Sequence, residues 1–338
     1  MTSIPQGLAE EASEAGKLGG RLSGLVRFWA ALLLALMVIN LGLAVRYIAI
    51  TGDITAFLTH QILLPVSIVT YVVLGALVIG RRPENPIGYL FLATGTANAF
   101  TALAAGITIY GSTLPATLSQ VAIDTARWLD IWMWIPAVML PVTFVFLYFP
   151  DGKLPSPRWR LPAWMAGLGL VAVVLGLALH PGPVEFWGTS ENPFALAEME
   201  GFLEAVLNLG SLALMIGGIS SIFAPFFRFF RSSGIVRQQM KWLAYVAVLV
   251  LILGVLSIPI WYLGGFSSPA RLEASITLTN LVMMLIAVTV ATAVIGYRLY
   301  DIDVLINRTL VYSLMTGAIV LIYVIIVGAA GIAFQSQG

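Results

Sequence analysis

Residues 297 to 312 read YRLYDIDVLINRTLVY, from Tyr297 to Tyr312, wedged between apolar runs at 274–296 and 309–334. At helical spacing Leu299, Ile302, Leu305 and Ile306 share one face, while Arg298, Asp301, Asp303 and Arg308 lie around the other. That pattern predicts a short amphipathic segment lying in a membrane interface. Two carboxylates beside hydrocarbon need compensation, and Arg298 and Arg308 are placed to supply it through charge-assisted pairs. Together with Asn307 they form a candidate coupling segment at the point where a membrane helix hands over to the cytosol. An Asp-x-Asp pair also suits a cation, but no third oxygen ligand stands at loop spacing, so no metal is assigned. Asn307-Arg308-Thr309 has the form of a glycosylation acceptor, which its expected cytoplasmic side makes irrelevant.

Outward from this stretch the chain is overwhelmingly apolar. Hydrophobic residues make up 59%, charged residues 10%, and the mean hydropathy is +0.97. Soluble domains carry roughly 25% charged residues, and no soluble core could hide so much apolar side chain. The composition predicts an all-α fold, a polytopic transmembrane helical bundle. A crossing takes about 20 apolar residues, and on that rule there are nine expected spans, near 27–50, 57–80, 87–110, 129–149, 161–180, 203–227, 242–263, 274–296 and 309–334.

Orientation follows from the basic residues, which short loops retain in the cytoplasm. Of the 17 Lys and Arg, 14 fall in the N-terminal tail or alternate loops: Lys17, Arg21, Arg27, Arg81, Arg82, Lys153, Arg158, Arg160, Arg228, Arg231, Arg237, Lys241, Arg298 and Arg308. The opposite side keeps Arg46, Arg127 and Arg271 together with most of the acids, among them Asp53, Asp124, Asp130, Glu185, Glu191, Glu198 and Glu200. The N terminus is therefore expected in the cytoplasm of a bacterial inner-membrane protein. With an odd number of crossings the last residues would face outward. Residues 1–24 are small and of mixed charge, which argues against a secretory signal and for a poorly ordered or surface-lying tail, leaving 25–338 as the helical domain.

Three loops on the basic side stand out beside the opening stretch. GRRPENPIGYLFLATG, Gly80 to Gly95, turns tightly at Pro83 and Pro86, and Asn85 before Pro86 suits a helix N-cap with proline at the first helical position. FPDGKLPSPRWR, Phe149 to Arg160, carries Asp151-Gly152 as turn chemistry and two further prolines that keep it extended. RFFRSSGIVRQQMKWLA, Arg228 to Ala244, is helical by composition past Gly234 and spaces Arg237, Gln239, Lys241 and Trp242 as G-x-x-R-x-Q-x-K-W. In this order, the four stretches resemble the multi-spanning N-terminal membrane region of a group of bacterial sensor histidine kinases, over most of the 338 residues. That family has similar R-R-P-x-N-P-I-G, F-P-D-G-x-L-P and Y-D-I-D-x-x-I-N-R-T-L-x-Y loops. The resemblance is to the sensor half alone. It implies a tenth helix and a basic linker leading into a kinase half, neither of which is in this sequence, so a truncated chain or a derivative without its output domain is expected. Each loop residue taken singly also has a plainer reading, since arginines at helix ends set topology and anchor headgroups.

Inside the expected spans polar residues are few: Asn40, Asn98, Asn208, Asn280, and His60 beside Gln61. A proton- or ion-coupled transporter would need a relay of ionisable residues near the midplane, and the asparagines read instead as interhelical hydrogen-bond partners. At the outer side Arg127 and Asp130 stand three apart, with Trp128, Trp132 and Trp134 on the same turns. An interfacial aromatic belt accounts for them. The sharper expectation is a pocket open to the outer leaflet for an apolar or amphiphilic signal, with Arg127 as its polar contact and Pro136 and Pro141 letting the helix bend.

Zero cysteines exclude disulfides, thiolate metal sites and thiol catalysis. No G-x-G-x-x-G, Walker or H-E-x-x-H motif occurs, and His60 and His180 both fall near the outer surface, away from any cytoplasmic phosphotransfer. No catalysis, cofactor or nucleic-acid binding is expected of the chain. The resemblance implies a sensor or input module partnered by membrane lipids and by a second copy or a larger complex. The competing classes are a non-catalytic subunit of a larger membrane complex and a transporter of a lipidic or neutral solute.

Overall fold

In the computed structural model the described residues are 6–51, 64–111, 118–181, 192–264 and 269–295, and their regular elements are all helical. In chain order they are α1 (Gln6–Thr51), α2 (Leu64–Arg81), α3 (Pro86–Gly111), α4 (Gln120–Met139), α5 (Phe146–Tyr148), α6 (Arg160–Leu179), α7 (Glu200–Arg231), α8 (Gly234–Gly264) and α9 (Pro269–Ile295). Five stretches among the described residues are long and apolar enough to cross a membrane: Phe28–Ile50, Pro86–Tyr110, Gln120–Tyr148, Pro157–Leu179 and Ala197–Arg231. Leu64–Gly80 and Thr277–Ala291 are shorter apolar helices. The protein is thus an all-α chain of membrane-protein character, and the run at 309–334 lies outside the described residues. Helix α1 begins at Gln6, inside the stretch expected to be a tail, and its apolar part starts at Phe28.

Helices α4 and α5 are one rod interrupted by a π-helical turn, Leu140–Val145. The sequence explains the interruption. Pro141 has no N–H to give and its ring crowds the carbonyl four residues back, so the chain widens by a residue rather than break. Within the widened turn Thr143 Oγ1 donates to the Met139 carbonyl. The same widening turns Val142, Val145 and Phe146 into the main core, where they meet Tyr71, Phe91, Ile222, Met240, Leu243 and Ile286 from α2, α3, α7, α8 and α9.

In hydrocarbon the hydrophobic effect no longer drives helices together, so close packing has to do so. Glycines supply it in two antiparallel pairs. Between α2 and α3, a Cβ on Gly88 would stand 2.7 Å from Ile79 Cγ1. Between α6 and α7 the approach is backbone to backbone: a Cβ on Gly169 would stand 2.5 Å from the Leu214 nitrogen, and one on Gly217 2.5 Å from the Ala166 nitrogen. Asn40 of α1 fits in the same way against Gly106 of α3.

Candidate functional site

The loops at 82–85 and 149–159 and the end of α7 close on one another at one end of the bundle. Asn85 is their hinge pin. Its Oδ1 accepts from the Ile87 N–H at 3.0 Å and so caps α3, with Pro86 in the first helical position as the sequence suggests. Its Nδ2 donates to the Pro150 carbonyl at 3.0 Å, which ties the α2–α3 turn to the α5–α6 loop 65 residues later. Asn85 is buried, so both ends of its amide are satisfied out of water.

The α5–α6 loop is shaped to be held. Phe149 is fully buried, a cis peptide bond joins it to Pro150, and the Gly152 N–H closes back on the Tyr148 carbonyl at 2.7 Å. Gly152 has φ +75°, and a Cβ there would lie 2.5 Å from Pro86 Cδ. Only glycine meets both conditions, since it alone accepts the left-handed region freely and leaves room for the proline ring.

Arg228, one turn before the end of α7, locks the loop from the other side. Its Nη1 donates to Asp151 Oδ1 at 3.0 Å and its Nη2 to the Leu147 carbonyl at 3.2 Å and to the Lys153 carbonyl. The Arg228 side chain is 13% exposed and that of Asp151 53%. The arginine is therefore held mainly by the carbonyls of a turned loop, with the carboxylate as a half-solvated partner. Sequence reasoning took Arg228 as a topology signal and missed this clasp. One signal was present: Asp151 is one of only two acids, with Glu84, in the loops 81–85 and 149–160 and the stretch 228–241, which otherwise bear only basic charges.

The opposite end holds the aromatic residues expected to form a pocket. Among the described residues, Trp128 and Trp132 pack together while Trp134 turns to other partners. Trp128 donates from Nε1 to the Ala178 carbonyl at 2.7 Å and packs on Phe194 and Trp132, with ring centroids 4.5 and 5.3 Å away. Asn192 Nδ2 donates to the Ala178 and His180 carbonyls, so Trp128 and Asn192 together cap the end of α6. Trp134 donates to the Ile131 carbonyl at 3.0 Å and packs against Ile135, Leu170, Val173 and Leu214. Arg127 pairs with Asp124 at 3.6 Å, and Asp130 is partly buried and likewise engaged. Trp132 Nε1 and His180 Nδ1 are buried with no hydrogen-bond partner among the described residues. On the side of α4 that faces α3, a cleft of about 380 Å³ lies between Phe100, Leu103, Ile107, Val121, Thr125 and Leu129. The cleft is almost wholly apolar, and neither Arg127 nor any of the three tryptophans lines it.

Among the described residues no three His, Asp or Glu side chains gather as metal ligands. Arg298, Asp301, Asp303, Asn307 and Arg308 lie outside the described residues. No protein-family model, curated protein or solved structure matches this chain.

Proposed function

We propose that this chain is the membrane-embedded input module of a signalling protein of the histidine-kinase type, crossing the bacterial inner membrane nine times from a cytoplasmic N terminus. A signal in or beside the bilayer would alter helix packing at the aromatic end, and the clasp and the 297–312 segment would hand that change to a cytoplasmic output carried on a partner or on further chain. One observation carries this reading. The rod from Gln120 to Tyr148 joins the Trp128 end directly to the Phe149–Gly152 loop and passes through the π-helical turn on the way. A widened turn between two anchored ends is an element with two accessible arrangements, because shedding the extra residue rotates everything beyond it by about 100° at 3.6 residues per turn.

The test is a chimera in which the chain drives a cytoplasmic kinase region that lacks its own sensor. Deleting Leu140 together with Pro141→Ala, which removes both the extra residue and the proline that forces the widening, is expected to shift autophosphorylation at least about threefold in either direction while the protein still reaches the membrane. Unchanged output from a folded deletion variant would remove the reading.

A further inference from the structure

We propose that the corner formed by the start of α6, the end of α7 and the start of α8 is a docking surface for the headgroups of anionic bilayer lipids. Arg158, Arg160, Arg231 and Arg237 are all exposed there. Arg228 has Asp151, but none of these four has a carboxylate partner among the described residues. Charge left uncompensated at one corner of an otherwise sparsely charged chain points to a ligand of opposite sign.

Two of the guanidinium groups lie over aromatic rings. Arg231 Cζ lies 4.2 Å over the Phe227 ring and Arg237 Cζ 5.0 Å over Phe229. Phe227 in turn leans on Trp159, with ring centroids 5.7 Å apart. An aromatic ring takes up no N–H donor in a conventional hydrogen bond, so both arginines keep donors for a two-point contact with phosphate oxygens. The α6–α7 pair beneath is rigid because Gly169 and Gly217 bring the two backbones into contact.

The occupant is a lipid rather than a soluble anion because of what continues below the arginines. On α6, Leu161, Trp164, Leu168, Val171 and Leu175 are exposed at spacings of three and four, and α6 is itself long and apolar enough to cross a membrane. Phe230 on α7 is 78% exposed at the same level as the arginines. A cationic rim above a continuous apolar stripe fits an anionic headgroup with its acyl chains running down the helix. The placement does not depend on the signalling reading.

The experiment uses the full chain in nanodiscs of equal parts phosphatidylcholine and phosphatidylglycerol, with the lipids retained after extraction counted by native mass spectrometry. Phosphatidylglycerol should be enriched by about fivefold or more, with enrichment falling steeply between low and high salt. The single variant Arg231→Gln should lose about half of it and the fourfold variant R158Q/R160Q/R231Q/R237Q nearly all, while Arg46→Gln, a cation at the opposite end, changes nothing. Equal retention of the two lipids, or enrichment that ignores salt, overturns the proposal from the wild-type chain alone, even if the fourfold variant fails to fold. Displacement of the retained lipid by millimolar glycerol phosphate would reassign the arginines to a soluble anion and overturn it too.

Discussion

Arg228 and Asp151 meet at 3.0 Å across 77 residues of sequence, and the arginine of this pair is nearly buried while the aspartate is half exposed. The two partners should therefore not be equivalent. Arg228→Met strips donors from the Leu147 and Lys153 carbonyls as well as from the carboxylate, and is expected to lower stability by about 2 kcal/mol. Asp151→Asn removes only the half-solvated charge and should cost about 0.5 kcal/mol. Unfolding by titration with a denaturing detergent, followed by tryptophan fluorescence, measures both. Equal losses would mean that the ion pair, rather than the carbonyl clasp, holds the loop.

Gly152 and Gly234 share a positive φ, +75° and +57°, and differ in what surrounds them. At Gly234 an added Cβ meets nothing within 4 Å, so Gly234→Ala carries only the left-handed backbone penalty of about 1 kcal/mol. At Gly152 the same atom would collide with the Pro86 ring, so Gly152→Ala should cost about 3 kcal/mol and disturb the Asn85 cap. The same detergent titration ranks the two variants. Near-equal effects would sink the claim of a close approach between the loops.

Packing of α6 on α7 makes a third contrast. Gly217→Ala places a methyl group 2.5 Å from one backbone atom of α6 and 2.8 Å from another, neither of which can rotate away, so the helices must part at a cost of about 2 kcal/mol. Gly201→Ala, in the same helix with nothing within 4 Å, should be neutral or stabilise by about 0.5 kcal/mol through helix propensity. Cross-linking yield between the two helices reads the separation directly.

The chain has no cysteine, which makes topology simple to map. Single cysteines at the exposed positions Glu84, Lys153 and Ser233 report on the clasp end, and those at Ser119 and Glu198 on the other. With a membrane-impermeant maleimide, Ser119→Cys and Glu198→Cys should label in intact cells. Glu84→Cys, Lys153→Cys and Ser233→Cys should label only after lysis. The reverse pattern would invert the proposed orientation, and mixed labelling within one end would refute the shared face.

What the sequence made legible was local or periodic. Five of the apolar runs, near 27–50, 87–110, 129–149, 161–180 and 203–227, coincide with helices long enough to cross a membrane, and Asn85-Pro86 announced a cap whose chemistry involves residues two apart. What it hid was long-range. No spacing rule links Asn85 to Pro150 or Arg228 to Leu147, because those partners meet only once the glycine-lined pairs have set the helices side by side. The partners of the tryptophans were hidden for a related reason. Trp128, Trp132 and Trp134 look like one cluster in sequence, yet helical rotation sends Trp134 to the α6–α7 core and Trp128 to the end of α6. The π-helical turn was foreshadowed only as a bend at Pro136 and Pro141, since proline shows where hydrogen bonding fails and not how the chain repairs it.

The clasp binds the α2–α3 turn, the α5–α6 loop and the end of α7 along a single edge, as a spine binds the leaves of a book. Leaves held that way separate most at the free margin, where Trp128 and Asn192 hold α6 by its carbonyl ends. On the proposed signalling reading, a disturbance entering at that margin would reach the spine as torque on the Gln120–Tyr148 rod rather than as sliding.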